Sequence, residues 1–546
     1  MGIKKTLLTS VTAASILFAG SQPFNVLAKE QPPLSEYSGD QLNIKQIGQY
    51  DSKSGLGGTE ILAYDEKLKR AFVTNGANSA IDILSFSSLK SGKFTEVKST
   101  KRILLKDFGI ENVDDITSLA SHPSKDLVAV SVVSNPKTDP GYIVFMTKEG
   151  KYISKVQVGS LPDMVIFTPD GKRAIVANEG EPSDDYKVDP EGTISIIDVT
   201  GSPKDFKVNN LTFQDVPLDE KVRVSSKGTT LQQLEPEYVT VSEDSKFAYV
   251  SMQENNAIAT VDLLSEKILH VKGLGVKDHS VAGNELDGKR DEKTKIERLP
   301  LLGLYMPDAI DSFTSDGKTY ILTPNEGDSR DYKAYSEEAE IGDLVDKIKL
   351  DAKNYKGFTQ VELDKMVADG LFKDMKKTKV TIENGLTKDG TYEALYSYGA
   401  RSFSIFNAET MELVYDSGSD FERIVSKAMP KYFNTDNEEI AYDKRSSAKG
   451  PEPETVVTGE VNGTKYAFIA LERVSGIMVY DLSNPVKPAF VQLISSRDYS
   501  EDIKGDVSPE GLRFIPAKVS PTGTALLAAT HEVSGTVAVY ELNIKK

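Results

Sequence analysis

The sequence contains no cysteine and no tryptophan, and only four histidines, at 122, 270, 279 and 531, in 546 residues. Without thiols there is no disulfide scaffold, cysteine nucleophile, iron–sulfur cluster or thiolate zinc site, and four scattered imidazoles argue against a histidine-rich transition-metal site. Basic charge is also scarce: 65 Lys plus Arg stand against 82 Asp plus Glu, a formal net charge of -17. Such a balance argues against nonspecific affinity for nucleic acid or an anionic membrane and favours cationic partners. No Gly-x-Ser-x-Gly elbow, Walker loop, His-Glu-x-x-His helix or dinucleotide fingerprint is present. The serine hydrolase, nucleotide hydrolase and zincin classes therefore lack support.

Long apolar runs are confined to the start of the chain. Lys4 and Lys5 precede an apolar stretch from Leu7 to Gly20, followed by Val26-Leu-Ala28, whose small residues suit signal peptidase. Residues 1–28 read as a secretory signal peptide, too short in its apolar core to span a bilayer comfortably. The mature chain is expected to begin at Lys29, with a linker over 29–41 and one repetitive domain over 42–546. The apolar run carries no lipid-bearing cysteine, and Asn543-Ile-Lys-Lys546 supplies no hydrophobic tail. The expectation is a freely secreted, extracellular monomer without a membrane span.

From there on a unit recurs. An acid stands at the start of an apolar strand, a turn with Asp and Gly or Lys follows, and a second apolar strand ends in a polar residue and an acid. Pro162-Asp163 leads through Asp170-Gly171 to Asn178-Glu179. Pro236-Glu237 leads through Asp244 to Gln253-Glu254, and Pro307-Asp308 leads through Asp316-Gly317 to Asn325-Glu326. Pro453-Glu454 and Pro509-Glu510 open two more copies, ending at Glu472 and at His531-Glu532, and weaker copies begin at Thr59-Glu60 and near Asp115. Seven copies of three or four short strands predict an all-β, seven-bladed β-propeller. The strand Leu42–Tyr50 has no copy of its own. It is expected to complete the last blade, joining the two ends of the chain and removing an open edge.

The copies are separated unevenly by inserted segments. Residues 328–390 are charged and partly helical, with Ile341, Leu344, Val345 and Ile348 at helical spacing and a Thr359-x-x-Glu362 capping box. A further helix is expected over Phe421–Ala428, capped by Ser419 with Glu422. These helices are expected to fold over one face of the ring.

In a propeller the innermost strand starts on the face to which the second strand returns. Glu60, Asp163, Glu237, Asp308, Glu454 and Glu510 stand at first-strand starts, and Glu179, Glu254, Glu326, Glu472 and Glu532 at second-strand ends. One mouth of the channel is therefore expected to be lined by carboxylates. Crowded carboxylates raise one another's pKa or recruit a cation, and calcium, which takes many oxygen ligands in flexible geometry, is the expected ion. Glu181 and Asp328 join this set through two near-duplicate loops, Asn178-Glu-Gly-Glu-Pro-Ser-Asp-Asp-Tyr186 and Asn325-Glu-Gly-Asp-Ser-Arg-Asp-Tyr332. Gly450-Pro-Glu-Pro-Glu454 is a third acidic turn, made rigid by proline. Asp287-Gly-Lys-Arg-Asp291 lacks the alternating ligands of a calcium loop.

The loops just quoted, with Asp189-Pro-Glu-Gly192, Tyr398-Gly-Ala-Arg-Ser-Phe-Ser404 and Lys449-Gly-Pro-Glu-Pro-Glu454, resemble the choice-of-anchor I domain family of secreted and surface proteins. That family includes mesenchyme-specific cell-surface glycoproteins linked with biomineralisation. The resemblance covers nearly all of the mature chain. It implies a seven-bladed propeller and, through the label some members carry, an alkaline-phosphatase-like activity. The Asp-Ser-Ala nucleophile of ordinary alkaline phosphatases is absent. Propeller phytases, whose channel carboxylates hold calcium, offer an analogy at the level of fold.

Two functions follow as expectations. The first is a secreted, calcium-dependent binding propeller whose acidic mouth faces an extracellular ligand, a phosphate ester or a cationic surface. The second is a calcium-dependent phosphoesterase in which Arg330, Arg473, Lys449 or Arg401 clamps phosphate oxygens and His531 is the one histidine placed for proton transfer. An ion-free scaffold that binds a partner on a flat face ranks third.

Overall fold

The computed structural model describes residues 35–37 and 41–545. The signal peptide read over 1–28 lies outside the described residues, as does most of the 29–41 linker, except that Ser35–Tyr37 forms a strand antiparallel to Ala489–Ser495. The described chain is predominantly β, with few helices. None of the helices is long and apolar enough to cross a membrane.

Seven sheets of four or five strands follow one another along the chain. Their first strands are Leu62–Asp65, Leu119–Ser121, Pro162–Phe167, Val239–Val241, Asp311–Ser315, Pro453–Val461 and Pro509–Ile515. Most carry β-branched or aromatic residues, as in Pro162–Phe167, Val239–Val241 and Pro453–Val461, the residue types that favour strands. The third sheet is typical. Pro162–Phe167, Arg173–Asn178, Thr193–Asp198 and Lys207–Leu211 pair antiparallel in sequence order, and the strands Arg173–Asn178 and Thr193–Asp198 are almost wholly buried while Lys207–Leu211 is wet.

The core lies between sheets. Ile81, Val128 and Val144 join the first sheet to the second, and Phe145, Val165 and Val176 join the second to the third. Ile194, Val250 and Val261 continue to the fourth. The series ends with Tyr50, Val73, Leu526 and Val537, which pack the seventh sheet on the first. Each such Val, Ile or Leu contributes about 1.5–3 kcal/mol relative to exposure. The fourth strand of the seventh sheet is Leu42–Asp51, antiparallel to Thr536–Ile544 from Leu42 opposite Ile544 to Asp51 opposite Thr536, and the short strand Thr95–Glu96 pairs parallel on its far side. A cavity of about 650 Å³ is lined by first-strand residues of all seven sheets, among them Ala63, Ala120, Val165, Val239, Asp311, Val456 and Arg513.

The inserted segment forms its own small core. Ile341, Leu363, Leu371 and Val380 pack on Leu286, Leu299 and Leu301, so residues 275–300 are structured partners of the insertion and not a linker. The helical spacing at 341–348 yields one α-turn, Ile341–Leu344, followed by a 3-10 turn over Val345–Lys347. The capping box forms as expected: Thr359 accepts from Glu362 N, and Glu362 reaches back to Thr359 N, at the head of the helix Gln360–Ala368. The later helix, Asp420–Ala428, departs from expectation at its cap. Ser419 makes no capping bond and donates instead to Gly283 O, while Glu422 is drawn away by Arg401 and Asn434. Tertiary partners outcompete the local motif.

Candidate functional site

Two elements set each acid in place. The first-strand acids sit at hairpin entries, and the second-strand acids follow a residue pinned to the third strand. Asn178 donates to Thr193 O and Ser195 Oγ, and its counterpart Asn325 donates to Ser402 Oγ and Ser404 Oγ. The following glycines are obligatory. Gly180 and Gly327 have φ of 77° and 87°, and a Cβ there would lie 2.8 Å from Gly192 N and 2.1 Å from Gly399 N. The near-duplicate loops thus share a packing device that presents Glu179 and Glu326 at equivalent positions.

The acids fall into two groups according to what meets them. In the first, carboxylate oxygens of Glu326, Glu452 and Glu472 lie within 4.8 Å of one another. Lys449 Nζ stands 2.8 Å from Glu326 Oε1 and 3.5 Å from Glu452 Oε2. Arg445 donates to Glu452 Oε1 at 2.5 Å, and Arg473 Nε reaches Glu452 Oε2 at 2.7 Å and Glu472 Oε2 at 3.2 Å. Gln253 donates to Glu326 at 2.9 Å and Asn437 to Glu472 at 2.7 Å. Glu452 is buried, which opposes its charge, but Arg445, Arg473 and Lys449 hold it well below the usual carboxylate range.

The second group has no cation within ion-pair distance among the described residues. Glu60, Asp163, Glu179, Glu237, Glu254, Asp308, Glu454, Glu510 and Glu532 belong to it. Burial, then the repulsion of neighbouring carboxylates, pushes Glu60, Glu179, Glu237, Glu454 and Glu510 well above the usual range. For the same main reason Asp163 and Asp308 are pushed up to about 6 and Glu532 to about 7. Oxygens of Asp308, Glu326 and Glu454 lie within 4.8 Å of one another. Both oxygens of Glu454, and Oε2 of Glu237, Glu254 and Glu510, are buried without a hydrogen-bond donor.

The remaining candidates occupy other places. Glu181 pairs with Lys137 and accepts from Tyr332 Oη at 2.8 Å, tying the two acidic loops together. Asp328 is more exposed and lies 3.8 Å from Lys449. Arg330 is fully buried, pairs with Glu235 and donates to Gln233 O. Arg401 braces the turn before the sixth sheet through Glu422, Ser446 O and Ala448 O. Arg473 is the arginine candidate that touches the mouth acids. His531 is buried, and desolvation lowers its pKa, which keeps the imidazole neutral. Asp287 accepts from Lys289 N and Lys295 N as an ordinary turn. Arg445 was not singled out by sequence, and Glu452 was read only as part of the proline-fixed acidic turn over 450–454, not as a member of the acidic set. The signal available was the glutamate between two prolines, which takes a left-handed φ of 52°.

A predominantly β protein of repeated antiparallel sheets, with carboxylates gathered at strand ends, is the class that fold and site define. The family model of the choice-of-anchor I domain matches residues 60–485, and the chain belongs to that family. It is 32% identical over 181 residues to Gigasin-3a of Magallana gigas, a match covering 30% of this chain and 64% of that protein. It is 26% identical over 346 residues to a mesenchyme-specific cell surface glycoprotein of Strongylocentrotus purpuratus, covering 57% of this chain and 40% of that one. The chain thus spans less than two thirds of either relative. Among solved structures it is similar to Kuenenia stuttgartiensis hydrazine synthase, with TM-score 0.45 and 11% identity over 90% of this chain and 97% of that one. It is also similar to the β-propeller domain of Myceliophteria thermophila Cps50 (Swd1), with TM-score 0.43 and 8% identity over 92% and 100% of the two chains.

Proposed function

We propose that the chain works outside the cell as a calcium-dependent binding protein, a closed seven-bladed propeller whose acidic mouth meets an extracellular ligand. The observation that carries this reading is the second group of acids, buried carboxylates gathered without a cationic side chain at ion-pair distance among the described residues. Such an arrangement is costly unless it holds protons or a cation. The packing of the seventh sheet on the first supports closure, and kinship with a cell surface glycoprotein supports an extracellular site of action. Thermal unfolding in calcium and in chelator tests the ion: calcium is expected to raise the melting temperature in proportion to the logarithm of its concentration. Equal melting temperatures in the two conditions would remove calcium from the function.

A calcium-dependent phosphoesterase is the second reading. It is favoured by the placement of Arg473, Arg445 and Lys449 beside the acids, where guanidinium and ammonium groups suit a phosphate. Turnover of p-nitrophenyl phosphate, its diester and phytate at neutral and alkaline pH, with calcium and then with chelator, decides between the two. Calcium-dependent turnover abolished by Glu326→Gln makes the mouth an active site, and no turnover by folded protein leaves the binding role.

A further inference from the structure

Two carboxylate trios at the mouth are equally compact, and they share Glu326. Distance alone does not distinguish them. In both, the oxygens lie within 4.8 Å of one another. Oxygens on opposite sides of a calcium ion are separated by about 4.6–5.2 Å, twice the calcium–oxygen distance, whereas magnesium draws them to about 4.2 Å. Both trios are compact enough for their oxygens to meet one divalent cation.

Charge separates them. Glu326, Glu452 and Glu472 are met by Lys449, Arg445 and Arg473, one cation for each carboxylate, and Asn437 and Ser508 add donors to Glu472. That trio already contains its counter-ions. Asp308, Glu326 and Glu454 have Lys449 as their one cationic partner among the described residues; it touches Glu326 Oε1 and Glu452, while Gln253 donates to Glu326 Oε2. Glu454 is 1% exposed, and apart from the carboxyl of Asp308 neither of its oxygens has a hydrogen-bond partner among the described residues. The charges that act on it most strongly, Glu326, Glu510, Glu472 and Asp308, are all acidic.

We infer that one divalent cation of calcium size is seated between Asp308 and Glu454, with Glu326 at its edge, and that the neighbouring Glu326–Glu452–Glu472 trio holds no metal because Lys449, Arg445 and Arg473 already fill it. This assignment rests on the calcium reading above and locates the ion within it. Glu237 and Glu510, each with an orphaned Oε2, stand as outer oxygens. Glutamate and aspartate are the only charged ligands at the seat, so a hard ion is selected over zinc or copper.

The test is calorimetric titration of calcium chloride into the chelator-stripped mature chain and its variants. Glu454→Gln and Asp308→Asn are expected to weaken calcium binding at least tenfold, while Glu472→Gln changes it less than threefold. Removing an uncompensated buried charge should not unfold the ligand-free protein, so Glu454→Gln is expected to melt in chelator at or above the temperature of the parent. Loss of binding in Glu472→Gln with full retention in Glu454→Gln overturns the seat and leaves the calcium reading standing. Absence of calcium binding in the parent chain overturns both.

Discussion

Lys449 is the most informative single residue to remove. Its ammonium is buried beside Glu326 and Glu452, and Glu326 is fully buried with only Gln253 as a second partner. Lys449→Met keeps the length of the side chain and deletes the charge. Leaving a buried carboxylate without its cation costs about 3–5 kcal/mol. Urea unfolding of the chelated protein at neutral pH should read a loss of that size as a lower midpoint at unchanged slope. Two further results belong to the same argument. Adding Glu326→Gln to Lys449→Met removes the orphaned charge and should recover most of the loss, a coupling that a double-mutant cycle measures. Calcium should recover part of it as well, because Glu326 is then released to the neighbouring ion. A loss under about 1 kcal/mol, or a double variant no more stable than Lys449→Met, would refute the view that Lys449 acts as an internal counter-ion.

Other expectations follow from the same geometry. Asp163 and Asp308 are pushed up to about 6, Glu532 to about 7 and Glu472 to about 8, chiefly by burial. The folded chain therefore keeps protons that the unfolded chain releases above about pH 4. Stability in chelator should fall as pH rises from about 4 to about 8 and level off above, and calcium should flatten the slope; a rise across that window in chelator contradicts the assignment. Gly399→Ala would place a Cβ 1.9 Å from Glu326 O at a φ of 70°, and a loss of about 3 kcal/mol or more is expected in chemical unfolding. Arg223 clamps the insertion through Glu337, Asn384 and Thr381. Arg223→Met leaves Glu337 buried without its charge partner, and limited proteolysis is expected to cut within 331–400 well before the rest of the chain.

Much of the architecture was legible because strands of this kind announce themselves. The copies at Asp163, Glu237, Asp308, Glu454 and Glu510 begin at or beside the first strands of their sheets, and Leu42–Tyr50 was read as the partner of the final strand, where it pairs with Thr536–Ile544. The near-duplicate loops were also visible, but the reason for their glycines was not: Gly180 and Gly327 make room for the backbone at Gly192 and, across the insertion, at Gly399. The neutralised trio was not legible. Lys449 and Glu326 are 123 residues apart, and no local pattern marks a pair formed across two sheets. Arg330 follows a mouth acid in sequence yet pairs with Glu235 and Gln233 O, partners 95 and 97 residues earlier in the chain. The cap of the helix Asp420–Ala428 failed for the same reason, since Arg401 claims Glu422 from outside the helix.

The strand Leu42–Asp51 is synthesised long before its antiparallel partner Thr536–Ile544. Thr59 likewise donates to the carbonyl of Thr536, 477 residues away. A chain that emerges from its N-terminal end holds the antiparallel edge of this strand unpaired until residues 536–544 have appeared. Contacts of such sequence separation slow folding, and an exposed strand edge invites pairing with other chains. The strand Thr536–Ile544 thus acts as a completion signal: without it the hairpin Pro509–Ile515 and Ala525–His531 lacks its third strand, and Leu42–Asp51 keeps only its short parallel partner Thr95–Glu96.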